Sequence, residues 1–281
     1  MTRVLLDGLA FPEAPRWHDR RLWFSDMHAH EIVAVDEAGK RETMLTWNGP
    51  VSGLGWLPDG RLLFVSMEDR KLMRREKDGR VALHGDLSAI ATWHANDMVV
   101  DAQGRAWVGN FGFPLHPTMG TPTPATLARV DPDGAVHAAA DNLMFPNGMA
   151  ITPDGKTLVV GESWGGVLTA FDIGADGALS ARRTWARLPE RAIPDGICLD
   201  AEGAIWVASP TTREVLRVRE GGEVLGKLSF AQQAIACMLG GADGRTLFIL
   251  TADETDPEKC SAGRTACIRA HTAPAPRAGC P

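Results

Sequence analysis

No apolar stretch in this 281-residue sequence reaches the ~18 residues that a membrane-spanning helix needs. Positive charge is also in short supply. The 29 Lys and Arg against 35 Asp and Glu leave a net charge of −6, the wrong sign for a face that neutralises phosphates, so a nucleic-acid partner is not expected. The opening MTRVLLDGLAFPEAP has too short an apolar run, too soon followed by acidic residues, to read as a signal peptide. A soluble, cytoplasmic protein is therefore expected. Cysteine is sparse and odd in number: Cys198, Cys237, Cys260, Cys267 and Cys280, without paired CxxC spacing. That favours reduced thiols, with Cys198 and Cys237 inside apolar strands; a disulfide among the last three stays open. No segment beyond a couple of turns carries a 3.6-residue apolar period, which excludes a helical architecture.

What the sequence does have is a repeat. One polar-to-apolar phrase occurs six times, and at one fixed position it reads Glu13, Ser52, Asn96, Asn147, Asp195 and Ala236. Each lies eight residues before a turn residue: Arg21, Gly60, Gly104, Gly155, Gly203 and Gly244. The successive spacings are 39, 44, 51, 48 and 41 residues. Repeats of about 40–50 residues made of short strands indicate a propeller. The strands that follow the turns alternate apolar residues (Leu22–Phe24, Leu62–Phe64, Leu158–Val160), and more polar strands such as EIVAVDEAG and TLARVDPDG come next. The turns, Pro58-Asp59-Gly60 among them, read as two-residue hairpins with glycine second. The sequence thus predicts an all-β, six-bladed propeller of about four antiparallel strands per blade. A single domain spans 1–281, with 272–281 as a coil tail. Closing the ring requires the chain ends to share a blade, Arg3–Leu6 beside Ala266–Ala270. Phe113–Pro124 is the one long irregular insertion.

In a propeller, equivalent positions of the innermost strands form a ring around the axis. Four of the six equivalent residues, Glu13, Asn96, Asn147 and Asp195, carry oxygen donors, and carboxylate and amide oxygens suit hard cations. Two carboxylates converging without a cation would repel each other. Taken singly, each residue has a plainer reading. Pro146-Asn147-Gly148 and Pro194-Asp195-Gly196 are ordinary turn sequences, and Asn96-Asp97 suits a surface loop; the shared register is what favours a common metal site. Gly161–Gly165 fits the G-x-S-x-G pattern, but a strand rather than a helix follows, against a nucleophile elbow. His28-Ala29-His30 is expected in an outer turn with no third ligand nearby. His94, two residues before Asn96, is expected near the channel mouth, in contact with substrate or in a structural role.

At FPEAPRW (Phe11–Trp17), NDMVVDAQGRAWVGNFGF (Asn96–Phe113), FPNGMAITPDGKTL (Phe145–Leu158), PDGICLDAEGAIWVA (Pro194–Ala208) and ACMLGGADGRTLF (Ala236–Phe248), the chain resembles the SMP-30/gluconolactonase/LRE-like family of six-bladed propellers. The resemblance runs from about Leu6 to Asp253. It implies that Glu13, Asn147 and Asp195 bind one divalent ion, calcium first, with magnesium, manganese or zinc as alternatives. It implies that Asn96 and Asp97 bind substrate or complete the site. Where sugar lactonases of that family often carry an arginine, two residues before the Asn-Asp pair, this sequence has His94, flanked by Trp93. This admits a less polar lactone, with Trp93, Phe113, Met144 and Trp164 as candidate walls, although Met144 and Trp164 also read as ordinary core. The expected activity is metal-dependent lactone hydrolysis on a small molecule, with Asp195 the catalytic base. A phosphotriesterase at the same site and a non-catalytic ligand-binding propeller with a structural cation are the alternatives.

Overall fold

The computed structural model describes residues 2–279 and contains six four-stranded antiparallel sheets arranged as the blades of a propeller. The innermost strands are Pro12–His18, Val51–Trp56, Ala95–Val100, Pro146–Ile151, Ile197–Leu199 and Gln233–Gly240. Each of these touches the innermost strands of both neighbouring blades, which closes the ring. The last blade joins the two ends of the chain, as the repeat required. Arg3–Leu9 pairs with Ala266–Thr272 (Arg3 opposite Ala270, Leu6 opposite Ile268) on the outer side of Thr246–Ala252.

The second strand of each blade is buried on both faces between its neighbours, which is why its apolar positions do not spare the intervening ones. Phe24, Phe64, Trp107 and Phe248 are fully buried there. Burying side chains of this size contributes about 1.5–3 kcal/mol each. The polar residues ending these strands are buried as well and serve the backbone. Asp26 Oδ1 accepts the Phe11 amide at 2.8 Å and fixes the approach of the chain to Glu13.

The hairpins differ from the two-residue turns the sequence predicts. The Leu57 amide donates to Arg61 O and the Gly60 amide to Leu57 O, both at 2.9 Å, so Pro58-Asp59-Gly60 is a three-residue loop. Gly60 closes it at φ +85°, a conformation that glycine adopts at little cost. Only the first blade uses a two-residue turn, with His18 paired to Arg21 and positive φ at both Asp19 and Arg20.

Among the described residues, helical structure is confined to the short helix Pro257–Gly263 and two 3-10 turns, Met27–Ala29 and Ser163–Gly165. The helix packs against the first of these turns, and Ser261 Oγ donates to His28 O at 2.9 Å. No helix among the described residues is long and apolar enough to cross a membrane. Residues 273–279 form no strand, but the Arg277 amide donates to Gly244 O and that of Ala278 to Leu199 O. Among the described residues Cys198, Cys237, Cys260 and Cys267 are buried free thiols; Cys280 lies outside them.

Candidate active site

The ring read from the sequence occupies one end of the channel: Glu13, Ser52, Asn96 and Asn147 are the second residues of their innermost strands, Asp195 lies just before its strand, and Ala236 lies within Gln233–Gly240. A local irregularity aims it. The pairing of the innermost strand slips between Glu13 and Arg16, Val51 and Leu54, Ala95 and Met98, Pro146 and Met149, and Ala234 and Ala236. A bulge of this kind turns a side chain out of the ladder. Repeated in five blades at the ring position, it points those residues toward the axis. Close approach between blades follows. A Cβ on Gly148 would lie 2.3 Å from Asp195 O and 2.6 Å from the Ile197 amide, so only glycine fits between Asn147 and the next blade.

Four ring members are wired together. Ser52 Oγ donates to Asn96 Oδ1 at 3.2 Å, Asn96 Nδ2 to Asn147 Oδ1 at 2.9 Å, and Asn147 Nδ2 to Asp195 Oδ1 at 2.6 Å. Ser163 supports Asn147 from outside the ring: its Oγ accepts from Asn147 Nδ2 at 3.2 Å and donates to Pro194 O at 2.8 Å. Glu13 Oε2 accepts only its neighbour's amide, Ala14 N, at 2.9 Å. Burial holds the Glu13 carboxyl well above the usual carboxylate range, and the charges of Asp195 and Asp97 push the same way. Burial likewise raises Asp195 to about 8, against the stabilising amide of Asn147.

Two acids that burial keeps from ionising are a pair whose charge a bound cation would offset. The donor set fits one. Among the described residues no group of three or more His, Cys, Asp or Glu side chains is arranged to hold a metal ion, so a cation here would need the amide oxygen of Asn147 beside the two carboxylates. That oxygen accepts one hydrogen bond and keeps its second lone pair.

Above the ring opens a cavity of about 510 Å³. Glu13, Asn96, Asn147, Asp195, Trp93 and His94 all line it. Asp97 and Phe113 do not. Asp97 is 4 % exposed; it accepts Arg16 Nη2 at 2.7 Å and its own neighbour's amide, Met98 N, at 2.8 Å. Arg16 in turn donates to the carbonyls of Leu54, Pro15 and Met98, so this ion pair ties three innermost strands together beneath the ring. Phe113 stands behind the wall, 6.3 Å from Phe145 and 5.9 Å from Trp164 between ring centroids. Trp164 lines the cavity and Met144 does not; the amide of Met144 donates to Glu162 Oε2.

His28 and His30 overturn their expected place in an outer turn. The 3-10 turn Met27–Ala29 carries them to the cavity wall, where His116 of the long insertion also arrives. Burial lowers the His28 pKa to about 4, helped by His116 and His30, and burial also lowers that of His94. A second ring went unread in the sequence. Met27, Met67, Phe111, Ser163 and Pro210 each follow the second strand of their blade and line the cavity one layer above the first ring. Their signal was available, because each stands 14 to 16 residues after its ring partner. Ser163 belongs to the G-x-S-x-G segment, and a strand, Val167–Ile173, does follow it.

The SMP-30/Gluconolactonase/LRE-like region family matches residues 11–253. The pentonolactonase XacC of Haloferax volcanii is 27% identical over 259 residues, which cover 90% of this chain and 85% of that protein. The gluconolactonase XC5397 of Xanthomonas campestris superposes with a TM-score of 0.78 at 27% identity, over 97% of this chain and 89% of that one. The calcium-binding regucalcin of Agrobacterium tumefaciens shares the fold, with a TM-score of 0.80 at 20% identity over 99% and 95% of the two chains.

Proposed function

The chain belongs to the SMP-30/gluconolactonase/LRE-like family, and from that premise we propose that it is a metal-dependent lactonase whose cation sits on Glu13, Asn147 and Asp195. The observation that carries this reading is the convergence of a buried acid, Glu13, a half-buried acid, Asp195, and the buried amide of Asn147 on the floor of one cavity. Calcium suits these hard oxygen donors best, with magnesium, manganese and zinc as the alternatives to be tried. When bound, the cation would polarise the lactone carbonyl and offset the negative charge that develops on its oxygen.

The remaining work falls to the side chains. Asp195 has Oδ1 held by Asn147, and no described residue donates to Oδ2, so that oxygen is free to take a proton from the attacking water. Attack forms a bond from the water oxygen to the acyl carbon and breaks the ring C–O bond; the proton held by Asp195 then passes to the departing alkoxide. Asn147, fixed by Ser163, keeps Asp195 in place. Asn96 presents a polar edge to the ring oxygen from the next blade, and His94, kept neutral by burial, contacts the substrate from the wall. Four buried free thiols among the described residues support the cytoplasmic setting.

Turnover of a lactone panel beside a paraoxon-like phosphotriester, by the wild type and by Asp195→Ala, tests the reading. Lactone opening that Asp195→Ala abolishes is the expected result. Full turnover by that variant would refute the assignment, and preference for the phosphotriester would transfer the site to that chemistry.

A further inference from the structure

The walls of the cavity are chemically unlike its floor. Among the described residues lining it there is no Lys or Arg, and the charged groups are the carboxylates Glu13, Glu68 and Asp195. An anionic substrate would find no Lys or Arg on the walls to pair with; the basic groups there are histidines, and burial disfavours the charged form of His28 and His94. The amides on the floor are occupied with one another, in the run from Ser52 through Asn96 and Asn147 to Asp195. A polyhydroxylated ring would therefore find few free partners on the floor and would depend on scattered wall groups such as His28, Asn48, His116 and Thr211, while the aromatic side of the cavity would leave its hydroxyls unpaired, which is costly.

One side of the cavity is a continuous aromatic arc. Trp93 stacks on His94 with centroids 5.0 Å apart and planes at 14°. His94 lies 6.0 Å from Phe111, and Phe111 meets Phe145 edge-on at 4.6 Å. Trp164, 40 % exposed, continues the arc at the rim, backed by Phe113. Phe11, Met27, Met67 and Ile235 supply further apolar surface. The cavity of about 510 Å³ has room for more than one small ring.

Resting on the lactonase reading above, we infer that this cavity selects a lactone carrying an aromatic or similarly planar apolar group, and that the Trp93–His94 stack and Trp164 are the walls that select it. Offset and edge-on ring contacts with the arc would hold the apolar portion, while the single ester reaches the polar floor. Such a substrate satisfies the floor with one carbonyl and leaves no hydroxyl unpaired.

The test compares dihydrocoumarin with δ-gluconolactone under saturating calcium or manganese, alongside a binding measurement that needs no turnover. The expected kcat/KM favours dihydrocoumarin by roughly tenfold or more. The expected response to Trp164→Ala is a several-fold rise in KM for dihydrocoumarin with a smaller fall in kcat. Equal or better turnover of δ-gluconolactone would overturn the inference and leave the lactonase reading standing. For binding, quenching of tryptophan fluorescence by tetralone, an aryl ketone that cannot be hydrolysed, should saturate in the wild type and weaken in Trp164→Ala. If neither lactone opens, the lactonase reading falls, and saturable quenching still upholds the cavity's preference. Absence of saturable quenching overturns the preference whatever the turnover shows.

Discussion

Asn147 donates one amide hydrogen to Asp195 Oδ1 across 2.6 Å while its carbonyl oxygen accepts from Asn96. One side chain therefore orients the proposed base and offers an oxygen to the proposed cation. Asn147→Ala should lower kcat and cation affinity together, each by roughly 10²-fold. Ser163→Ala frees the amide without removing it and should cost about tenfold. Steady-state kinetics with a calcium titration checks both. Unchanged cation affinity in Asn147→Ala would remove that residue from the ligand set.

Arg16 and Asp97 behave as structure rather than as substrate contacts. Both are buried, and Arg16 also caps carbonyls on three strands. Removing one member of a buried pair strands the other, at a cost of about 3–5 kcal/mol. Arg16→Ala should lose stability on that scale in urea unfolding, and a loss under about 1 kcal/mol would show that the pair is dispensable.

The histidine at the cavity wall gives a pH dependence. His28 titrates near 6.5 when unfolded and at about 4 in the fold, where burial, His116 and His30 oppose its charge and only Asp256 favours it. Because the folded state binds this proton less tightly, His28 stabilises the protein above pH 6.5, and that contribution is lost as pH falls from 6.5 toward 4. The melting temperature of the wild type should fall more steeply over this window than that of His28→Gln. Parallel curves would contradict the assignment.

The blade count and ring register were legible because each repeat carries its own turn and its own apolar strand, so that one offset of eight residues located Glu13, Asn96, Asn147 and Asp195. The bulges that aim Glu13, Asn96 and Asn147 leave no mark in single-sequence periodicity, since they depend on how two strands pair. The family resemblance puts Asp97 beside Asn96 at the substrate, yet successive residues of a strand point to opposite sides, and Asp97 meets Arg16 instead. The sequence places His28 and His30 in an outer turn, because a short polar stretch between strands looks alike at either end of a blade. Only the direction of the chain, from inner strand to second strand and back, puts that turn beside the ring.

The central claim is that lactone opening requires one divalent cation on Glu13, Asn147 and Asp195. Its most direct test is to strip the protein with a chelator and follow dihydrocoumarin hydrolysis while calcium is added back. The account predicts that stripping abolishes turnover in the wild type and that it returns as a single class of site fills. Glu13→Gln and Asp195→Ala should stay inactive at cation concentrations that restore the wild type. Undiminished hydrolysis by the stripped wild-type protein would contradict the account.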